Sequence, residues 1–159
     1  MNKPKYLKPI PEKIPVELKA YKQFVCWKAE VNGENWTKVP YDPKRTAKAK
    51  TNDPSTWSDF ETAWESYSNG GYDGIGFVLT EQDDLVGVDI DHCIQEGQID
   101  SFAKSIIRKL NSYTEISPSG KGVHIFVKGG KLEGWTRKGN YEFYYSNRYF
   151  TLTGHKYDG

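Results

Sequence analysis

The sequence predicts a single α+β domain in which a mostly antiparallel sheet is flanked by two helices. Several short stretches alternate apolar and polar residues, which is typical of strands that are buried on one face. Two other stretches carry apolar residues at helical spacing, and turn-forming residues separate the segments. With 159 residues, the chain is long enough to enclose a hydrophobic core.

The predicted strands are short, and two of their connections carry clear turn signals. Asn32-Gly33 is a tight-turn signal between the first two strands, and an acidic turn at 81–84 joins the next two. The predicted strands cover residues 24–31, 36–41, 74–79, 85–91, 113–116 running into 121–127, 141–145 and 149–153.

Two helices are predicted from the periodicity of their apolar residues. The first begins at a capping box, S-x-x-E, formed by Ser58 and Glu61, and ends at residues 69–71. The second covers about 99–110. The apolar faces of the two helices consist of Phe60, Ala63, Trp64 and Tyr67, and of Ile99, Phe102, Ile106 and Leu110.

The N-terminal third of the chain holds two basic segments. Residues 1–19 are rich in lysine and proline and are predicted to form a basic arm, whereas 20–159 form the folded domain. Residues 42–56 are predicted to form a basic loop. The chain as a whole has 22 basic and 21 acidic residues, for a net charge of +1, so any nucleic-acid surface must be local.

Cysteine content and hydropathy bear on the cellular compartment. Cys26 and Cys93 are the only cysteines and do not form a C-x-x-C pair, so both are predicted to be reduced thiols. No stretch approaches the roughly 18 apolar residues that span a bilayer. The lysines at the N-terminus are not followed by the apolar run of a signal peptide. The sequence therefore predicts a cytoplasmic protein with no membrane partner.

Asp89 and Asp91 form the first candidate functional group. Residues i and i+2 of a strand point to one face, so the two carboxylates repel each other unless a cation lies between them. Mg²⁺ prefers oxygen ligands and is commonly bound by one or two carboxylates together with substrate phosphates. The pattern predicts a divalent-metal site at the end of an apolar strand. The alternative is a pair of solvated acids at a strand end.

His124 and the loop before it form the second candidate group. His124 alternates with apolar residues of its strand and therefore lies on the face opposite to them. The loop 117–122 includes Ser119 and Lys121 and offers N–H groups, a hydroxyl and an ammonium, which together suit phosphate. It lacks the spacing of a Walker A loop. The alternatives are a glycine-rich hairpin turn and a core histidine.

Glu142 and Arg148 are the third and fourth candidates. Glu142 lies in an aromatic segment, where an unpaired buried charge would be costly. A metal ion could pair with it, and so could a cross-strand lysine or arginine. Arg148 precedes a predicted strand, where its guanidinium could bind phosphate through two hydrogen bonds. The alternative for Arg148 is a surface arginine at a turn.

These pieces, in this order, resemble the catalytic core of the archaeo-eukaryotic primase superfamily, especially the primase-polymerases of phages and plasmids. That family carries a D-x-D motif, then a strand ending in s-x-H, then a strand with a third acid. Asp89 and Asp91, then His124, then Glu142 match these positions. The resemblance covers about residues 20–155 and is strongest in the segments 87–92, 117–124 and 148–154.

One position departs from the family pattern. Where the motif has a serine two residues before the histidine, this chain has Gly122. Ser119, in the same loop, could supply the hydroxyl instead. Larger members of the family continue into a helical bundle and a helicase, so the sequence fits either a stand-alone small primase or a catalytic fragment.

The resemblance implies a primase-type catalytic core, with an RNA-recognition-motif-like sheet, that acts as a metal-dependent nucleotidyltransferase. It would make primers or extend DNA on a single-stranded template in phage or plasmid replication. The expected site consists of the catalytic residues Asp89, Asp91, Glu142 and His124, of which the three acids would hold two Mg²⁺ or Mn²⁺ ions. The triphosphate of a dNTP or rNTP would be bound by His124, Lys121, Ser119 and Arg148.

Two kinds of macromolecular partner are expected. The basic segment 38–50 and the aromatic residues beside it could follow the single-stranded DNA template by charge and stacking, although a solvated loop is the alternative. The candidate template-binding residues are Trp36, Lys38, Tyr41, Lys44 and Arg45. A replicative helicase, in cis or in trans, is the second expected partner.

Three other functions fit parts of the pattern. The chain could be a catalytically weak module that binds nucleotide or single-stranded DNA and needs missing helical or helicase domains. It could be a metal-dependent nuclease, since paired acids and a histidine also serve phosphodiester hydrolysis. A rolling-circle replication initiator needs two histidines on one strand, and only His124 lies on such a strand.

Overall fold

The computed structural model describes residues 2–129, 137–138, 141–144, 146 and 148–158. Over these residues the chain forms two antiparallel sheets, a short hairpin and helices, which confirms the predicted α+β class. The sheets have four and five strands, where the sequence predicted one sheet. Residue 145, the predicted end of a strand, lies outside the described residues.

The elements follow the predicted order, with short elements added before the first predicted strand and between later ones. Turns of 3-10 helix cover Pro11–Lys13 and Pro54–Thr56. The helices are α1 (Val16–Lys19), α2 (Phe60–Ser68) and α3 (Ser101–Leu110). The strands are β1 (Phe24–Asn32), β2 (Asn35–Tyr41), β3 (Gly74–Leu79), β4 (Leu85–Ile90), β5 (Ile94–Gln95), β6 (Gln98–Ile99), β7 (Tyr113–Ile116), β8 (Val123–Lys128), β9 (Arg137–Lys138), β10 (Tyr141–Tyr144) and β11 (Arg148–Leu152).

The strands divide between two sheets that pack face to face. Sheet I has the order β11-β3-β1-β2, and sheet II has the order β7-β8-β4-β10-β9. The apolar core between them is built from both sheets and α2. At Gly87 the sheets approach closely, since an added Cβ would lie 2.7 Å from a ring carbon of Phe150 and 2.9 Å from Leu79. The opposite face of sheet II packs against α3 in a second apolar cluster.

The predicted start of the first helix is wrong by one residue. Asp59 is the N-cap of α2, because its carboxylate accepts a hydrogen bond from Thr62 N at 2.8 Å. Ser58 cannot form the capping box, because its main chain pairs with Phe24 and extends sheet I. Its hydroxyl donates to the Asp59 carbonyl instead.

The second helix begins two residues later than predicted. Asp100 caps α3 by accepting a hydrogen bond from Ala103 N at 2.8 Å. Ile99 belongs to β6 and pairs with Ile94 in a hairpin that the sequence analysis did not predict. Glu96 and Gly97 form its tip, both with positive φ.

The N-terminal arm lies against the domain. Ile14 and Leu18 are buried in the core between the sheets. Leu7 N donates to the carbonyl of Pro118, and Ile10 N donates to that of Thr153, each at 2.8 Å. The arm therefore contacts the loop before β8 and the segment after β11.

Two further expectations concern cysteines and membranes. Cys26 and Cys93 are free and buried, which confirms the prediction of reduced thiols. Burial raises the pKa of the Cys26 thiol to about 12 and that of the Cys93 thiol to about 11. Across the described residues, no helix is long and apolar enough to cross a membrane.

Candidate active site

A row of four ionisable residues crosses sheet II. In the strand register, Glu115 pairs with His124, His124 with Asp89, and Asp89 with Glu142. Directly paired residues of antiparallel strands share a face, so the four side chains lie on one face. The sequence placed three of these residues in the site separately, and the register brings them together.

The row lies on the face of sheet II that is turned toward sheet I. The next row along the strands is Tyr113, Phe126, Gly87 and Tyr144. Its three aromatic residues belong to the core between the sheets. The charged row therefore begins where the apolar contact between the sheets ends.

Asp89 lies beside His124 at the centre of the row. Asp89 Oδ1 is 3.4 Å from His124 Nε2, and the Asp89 side chain is 24% exposed. The same oxygen is buried and has no hydrogen-bond partner among the described residues. A buried acceptor without a partner is costly, which suggests that a ligand completes the site.

The ring of His124 is held from its other side. His124 Nδ1 is 3.1 Å from the carbonyl of Thr151, and the ring packs against Phe150 with centroids 5.0 Å apart. A carbonyl only accepts, so this contact assigns the Nδ1 proton and leaves Nε2 facing Asp89. Burial by itself lowers the pKa of His124, but Asp89 and Glu115 outweigh it and the net shift is upward. This upward shift favours the charged form of His124 within the acidic row.

Asp91 follows the end of β4 and is exposed. Partial desolvation raises the pKa of Asp91, and the nearby charge of Asp89 raises it further. The loop 117–122 lies directly beside it. An added Cβ at Gly122 would lie 2.6 Å from the carbonyl oxygen of Ile90 and 3.4 Å from Asp91 Cα. The missing motif serine is thus replaced by a residue whose lack of a side chain lets the loop approach the acidic pair.

The loop 117–122 is closed by hydrogen bonds within itself. Ser117 Oγ accepts from Gly122 N, and Ser119 Oγ accepts from Lys121 N, each at 3.2 Å. Gly120 N donates to the Ser117 carbonyl at 2.9 Å. These three N–H groups are therefore used to shape the loop, and the groups that remain for phosphate are the exposed side chains of Ser119 and Lys121.

A groove lies next to this loop. It has a volume of about 520 Å³ and is lined by the loop, by the hairpin β5–β6 and by His92, two residues before that hairpin. Ser119, Lys121 and His92 contribute side chains to it. His92 has a φ of 54°, a left-handed conformation that is uncommon for a non-glycine residue. His92 follows Asp91 directly in the chain, so the groove lies close to the acidic pair in sequence.

Glu142 and Arg148 are linked through Tyr144. The Tyr144 hydroxyl donates a hydrogen bond to Glu142 Oε2. The guanidinium carbon of Arg148 lies 4.7 Å from the centre of the Tyr144 ring. Arg148 is exposed and begins β11, so it is on sheet I while Glu142 is on sheet II. The two residues are thus brought to one region from different sheets.

The residues present fit a divalent cation in part. Asp89 Oδ1 lacks a hydrogen-bond partner among the described residues, and Asp89 and Asp91 repel each other; both features favour a bound cation. Within the described part of the chain, no three His, Cys, Asp or Glu side chains lie close enough to hold a metal ion. The acidic pair therefore fits a cation, whereas Glu142, the expected third ligand, is hydrogen-bonded to Tyr144 in this conformation.

Comparison with known proteins identifies a relative. The chain is 38% identical over 150 residues to the DNA primase-polymerase of Nitratiruptor phage NrS-1. The chain is a relative of phage primase-polymerases. The predicted resemblance is thereby confirmed, and it covers 89% of the chain. The chain spans about a fifth of the length of this curated relative, 20%. No protein-family model matches the sequence.

The candidate template-binding residues of this chain do not form one surface. Trp36 and Lys38 lie on one face of β2, and Tyr41 lies on the other. Lys38 Nζ lies 5.5 Å from the centre of the Tyr6 ring. The Trp36 indole nitrogen is buried, with no hydrogen-bond partner among the described residues. Trp36 and Lys38 therefore belong to the face that the N-terminal arm covers.

The remaining template candidates are engaged within the domain to different degrees. The Tyr41 hydroxyl donates to Glu30. Lys44 Nζ lies 3.1 Å from Asp42 Oδ1 and also donates to the carbonyl of Trp57. Arg45 is exposed. Of these residues, the arginine has the side chain most open to a phosphate backbone.

Sequence analysis missed two residues that shape the site. Glu115 is fully buried beside His124, and Thr151 supplies the carbonyl that binds the ring. One signal for Glu115 was present, because a charged residue lies inside the predicted strand 113–116, as Glu142 does inside a predicted strand. Thr151 acts through its main chain, so no side-chain pattern could have identified it.

Proposed function

We propose that this chain is the catalytic domain of a DNA primase-polymerase, which joins nucleotides on a single-stranded DNA template. The observation that carries the proposal is the cross-strand row that brings His124 and Glu142 to either side of Asp89. Asp91 and the loop 117–122 meet at the end of the same strands. The similarity to the phage primase-polymerase supports the same reaction.

In this reaction a hydroxyl oxygen forms a bond to the α-phosphorus of the incoming nucleotide. The bond between that phosphorus and the oxygen leading to the β-phosphate breaks, and pyrophosphate leaves. Two Mg²⁺ or Mn²⁺ ions held by Asp89, Asp91 and Glu142 would neutralise charge and activate the attacking hydroxyl. Positioning and charge neutralisation supply most of the catalysis in phosphoryl transfer.

The side chains around the acids would bind the triphosphate. His124 offers Nε2, since its Nδ1 is bound to Thr151, and its raised pKa favours the charged form. Lys121 and Ser119 would bind phosphate oxygens from the loop, and both line the adjacent groove. Arg148 would reach the same region from sheet I, where it lies over Tyr144.

The partners follow from this assignment. The template would contact the basic segment 38–50, for which exposed Arg45 is the first candidate. Both dNTPs and rNTPs are candidate substrates. A replicative helicase, in cis or in trans, completes the proposed assembly.

The test measures strand growth. The protein is incubated with single-stranded DNA, dNTPs, rNTPs and Mg²⁺ or Mn²⁺, with and without a labelled primer. We expect the wild-type chain to lengthen the primer, and Asp89→Ala plus Asp91→Ala to abolish the product. Glu81→Ala plus Asp84→Ala removes the same charge from an exposed turn and serves as the matched control.

Three outcomes contradict parts of the proposal. If the Asp89 and Asp91 double variant extends the primer at the wild-type rate, these two residues do not hold the catalytic metal ions. Binding of nucleotide and single-stranded DNA by the wild type without extension would favour a binding module. Shortening of the labelled strand would favour a nuclease.

A further inference from the structure

Glu115 is a fully buried acid that the proposed reaction does not use. Its side chain is 0% exposed, on the edge strand β7. The carboxylate accepts hydrogen bonds from Thr153 N at 2.8 Å, Gly154 N at 3.0 Å and the Tyr113 hydroxyl at 2.8 Å. Burial raises the pKa of this carboxyl group, while His124 and these donors oppose the rise. A buried acid with this many donors is held in one orientation.

The same carboxylate lies next to the ring of His124. Glu115 Oε2 is 3.9 Å from His124 Nδ1, the nitrogen that also contacts the Thr151 carbonyl at 3.1 Å. Thr153 and Gly154, whose N–H groups donate to Glu115, follow Thr151 by two and three positions. Glu115 therefore acts on the ring twice, directly by its charge and through the segment that holds the ring.

The segment 151–154 has little freedom to compensate for a change at Glu115. Gly154 has a φ of 69°, and an added Cβ would lie 2.3 Å from the carbonyl oxygen of Ile10. The hydrogen bond from Ile10 N to Thr153 O, at 2.8 Å, fixes the segment against the arm. The ring of His124 thus contacts both the Glu115 carboxylate and the carbonyl of Thr151, in the segment that Glu115 binds.

Stability alone does not explain this arrangement. Replacing a buried charge and its partners by apolar residues is often neutral or stabilising, so the core does not need an acid at this position. The histidine does need one: an acceptor on the Nδ1 side fixes the orientation of the ring and therefore which nitrogen faces the site.

We propose that Glu115 is a positioning residue for nucleotide binding, which fixes the ring of His124 so that Nε2 faces the triphosphate. This inference rests on the proposed function. Glu115 makes no contact with the substrate itself, and its effect is transmitted through His124. Its loss should weaken nucleotide binding more than it slows the chemical step.

The test compares Glu115→Gln, which keeps the shape but removes the charge, with Tyr113→Phe. The second variant removes one hydrogen bond to the same carboxylate and leaves the side that faces His124 intact. Binding of dATP is measured with Ca²⁺ in place of the catalytic metal, and KM and kcat are measured with Mg²⁺. We expect Glu115→Gln to raise the dissociation constant and KM about tenfold, with kcat changed less than about threefold. Tyr113→Phe should leave both near wild type.

A double-mutant cycle separates positioning from a purely structural role. In a His124→Ala background, Glu115→Gln should change the dissociation constant for dATP by less than about twofold, because the group through which it acts is gone. The same fold-change in both backgrounds would overturn the proposal. So would a dissociation constant for Glu115→Gln equal to that of the wild type.

A second measurement does not depend on a folded Glu115 variant or on nucleotide binding. The ¹⁵N shifts of the His124 ring in the wild type should show a protonated Nδ1, with the signal assigned from its loss in His124→Ala. An unprotonated Nδ1 would overturn the positioning role even if Glu115→Gln fails to fold. A wild-type chain that binds no dATP would contradict the proposed function. The protonation of Nδ1, read from the ¹⁵N shifts, would still test separately whether the His124 ring is held in the proposed orientation.

Discussion

Both sheets are antiparallel, but their inner faces carry different side chains. Sheet I turns an apolar face toward the centre of the domain, including Phe24, Phe77 and Phe150. The inner face of sheet II carries one apolar row, which includes Phe126 and Tyr144. The next row along the same strands is the charged one. Both sheets are antiparallel, so the difference comes from side chains and not from strand pairing.

This difference shows that the residues that stabilise the domain and the residues of the candidate site occupy different rows of the sheets. The apolar rows of both sheets bury large side chains against each other, which is the main source of folding energy. The charged row lies beyond that contact, where burial of Asp89 and His124 is tolerated because each has ionic or main-chain partners. Substitutions in the two regions should therefore have different consequences, and each of the following predictions tests that separation.

The largest expected effect is on stability, in sheet I. Phe77 is fully buried and contacts the rings of Tyr21, Phe24 and Phe126. Phe77→Ala should lower the free energy of unfolding by about 3–5 kcal/mol, because it removes apolar contact and leaves a cavity. Urea unfolding followed by circular dichroism measures the change.

Val31→Ala is the control for this substitution. Val31 lies on β1 of the same sheet and is 52% exposed, so its truncation should change the free energy of unfolding by less than about 0.5 kcal/mol. A loss below about 1 kcal/mol for Phe77→Ala would mean that the contact between the sheets is not the main stabilising region.

The next effect is on activity, in the charged row. Asp91→Asn should lower the rate of primer extension by about a hundredfold or more, because it removes a carboxylate from the proposed metal site. The free energy of unfolding should stay the same or rise, since partial desolvation and the nearby charge of Asp89 both raise the pKa of Asp91 and so disfavour its charged form. The two quantities are measured on the same preparation, with EDTA present in the unfolding experiment.

The matched control is Asp158→Asn. The side chain of Asp158 is 80% exposed and pairs only with Lys156 at 3.3 Å among the described contacts, so it should affect neither quantity. A loss of stability in Asp91→Asn as large as its loss of activity would show that the charged row also holds the domain together.

Much of this two-sheet arrangement was predictable from the sequence, but the division into sheets was not. Alternation identified the strands, because it depends only on local burial. Strands β3 and β4 are consecutive and were predicted to be joined by an acidic turn, yet they belong to different sheets. Asp83 shapes this crossing by accepting hydrogen bonds from Thr80 N and Leu85 N, each at 2.9 Å. An acidic turn of this kind looks the same in sequence as a hairpin turn.

The candidate site shows the same limit. Motif spacing identified Asp89, Asp91, His124 and Glu142, since each motif is a local pattern. The role of Glu115 depends on the register between β7 and β8 and on a segment almost forty residues away, at Thr153 and Gly154. Such long-range contacts have no local signature, so the contact of Glu115 with His124 became visible only in the folded chain.

The smallest predicted effect concerns the N-terminal arm, which touches both regions. Tyr6 packs edge-on against Trp27 of sheet I with ring centres 5.2 Å apart, and Leu7 N donates to the Pro118 carbonyl of the site loop at 2.8 Å. Leu7→Pro removes that donor. It should lower the free energy of unfolding by about 1 kcal/mol and raise KM for dATP about threefold.

Leu7→Ala isolates the main-chain contribution, because it shortens the side chain and keeps the N–H group. If the arm supports the loop through its hydrogen bond to Pro118, the alanine variant should keep the wild-type KM even where it loses some stability. An equal rise in KM for both variants would assign the effect to the leucine side chain. An unchanged KM in both variants would mean that the arm contributes only to the stability of the domain and does not affect the loop 117–122.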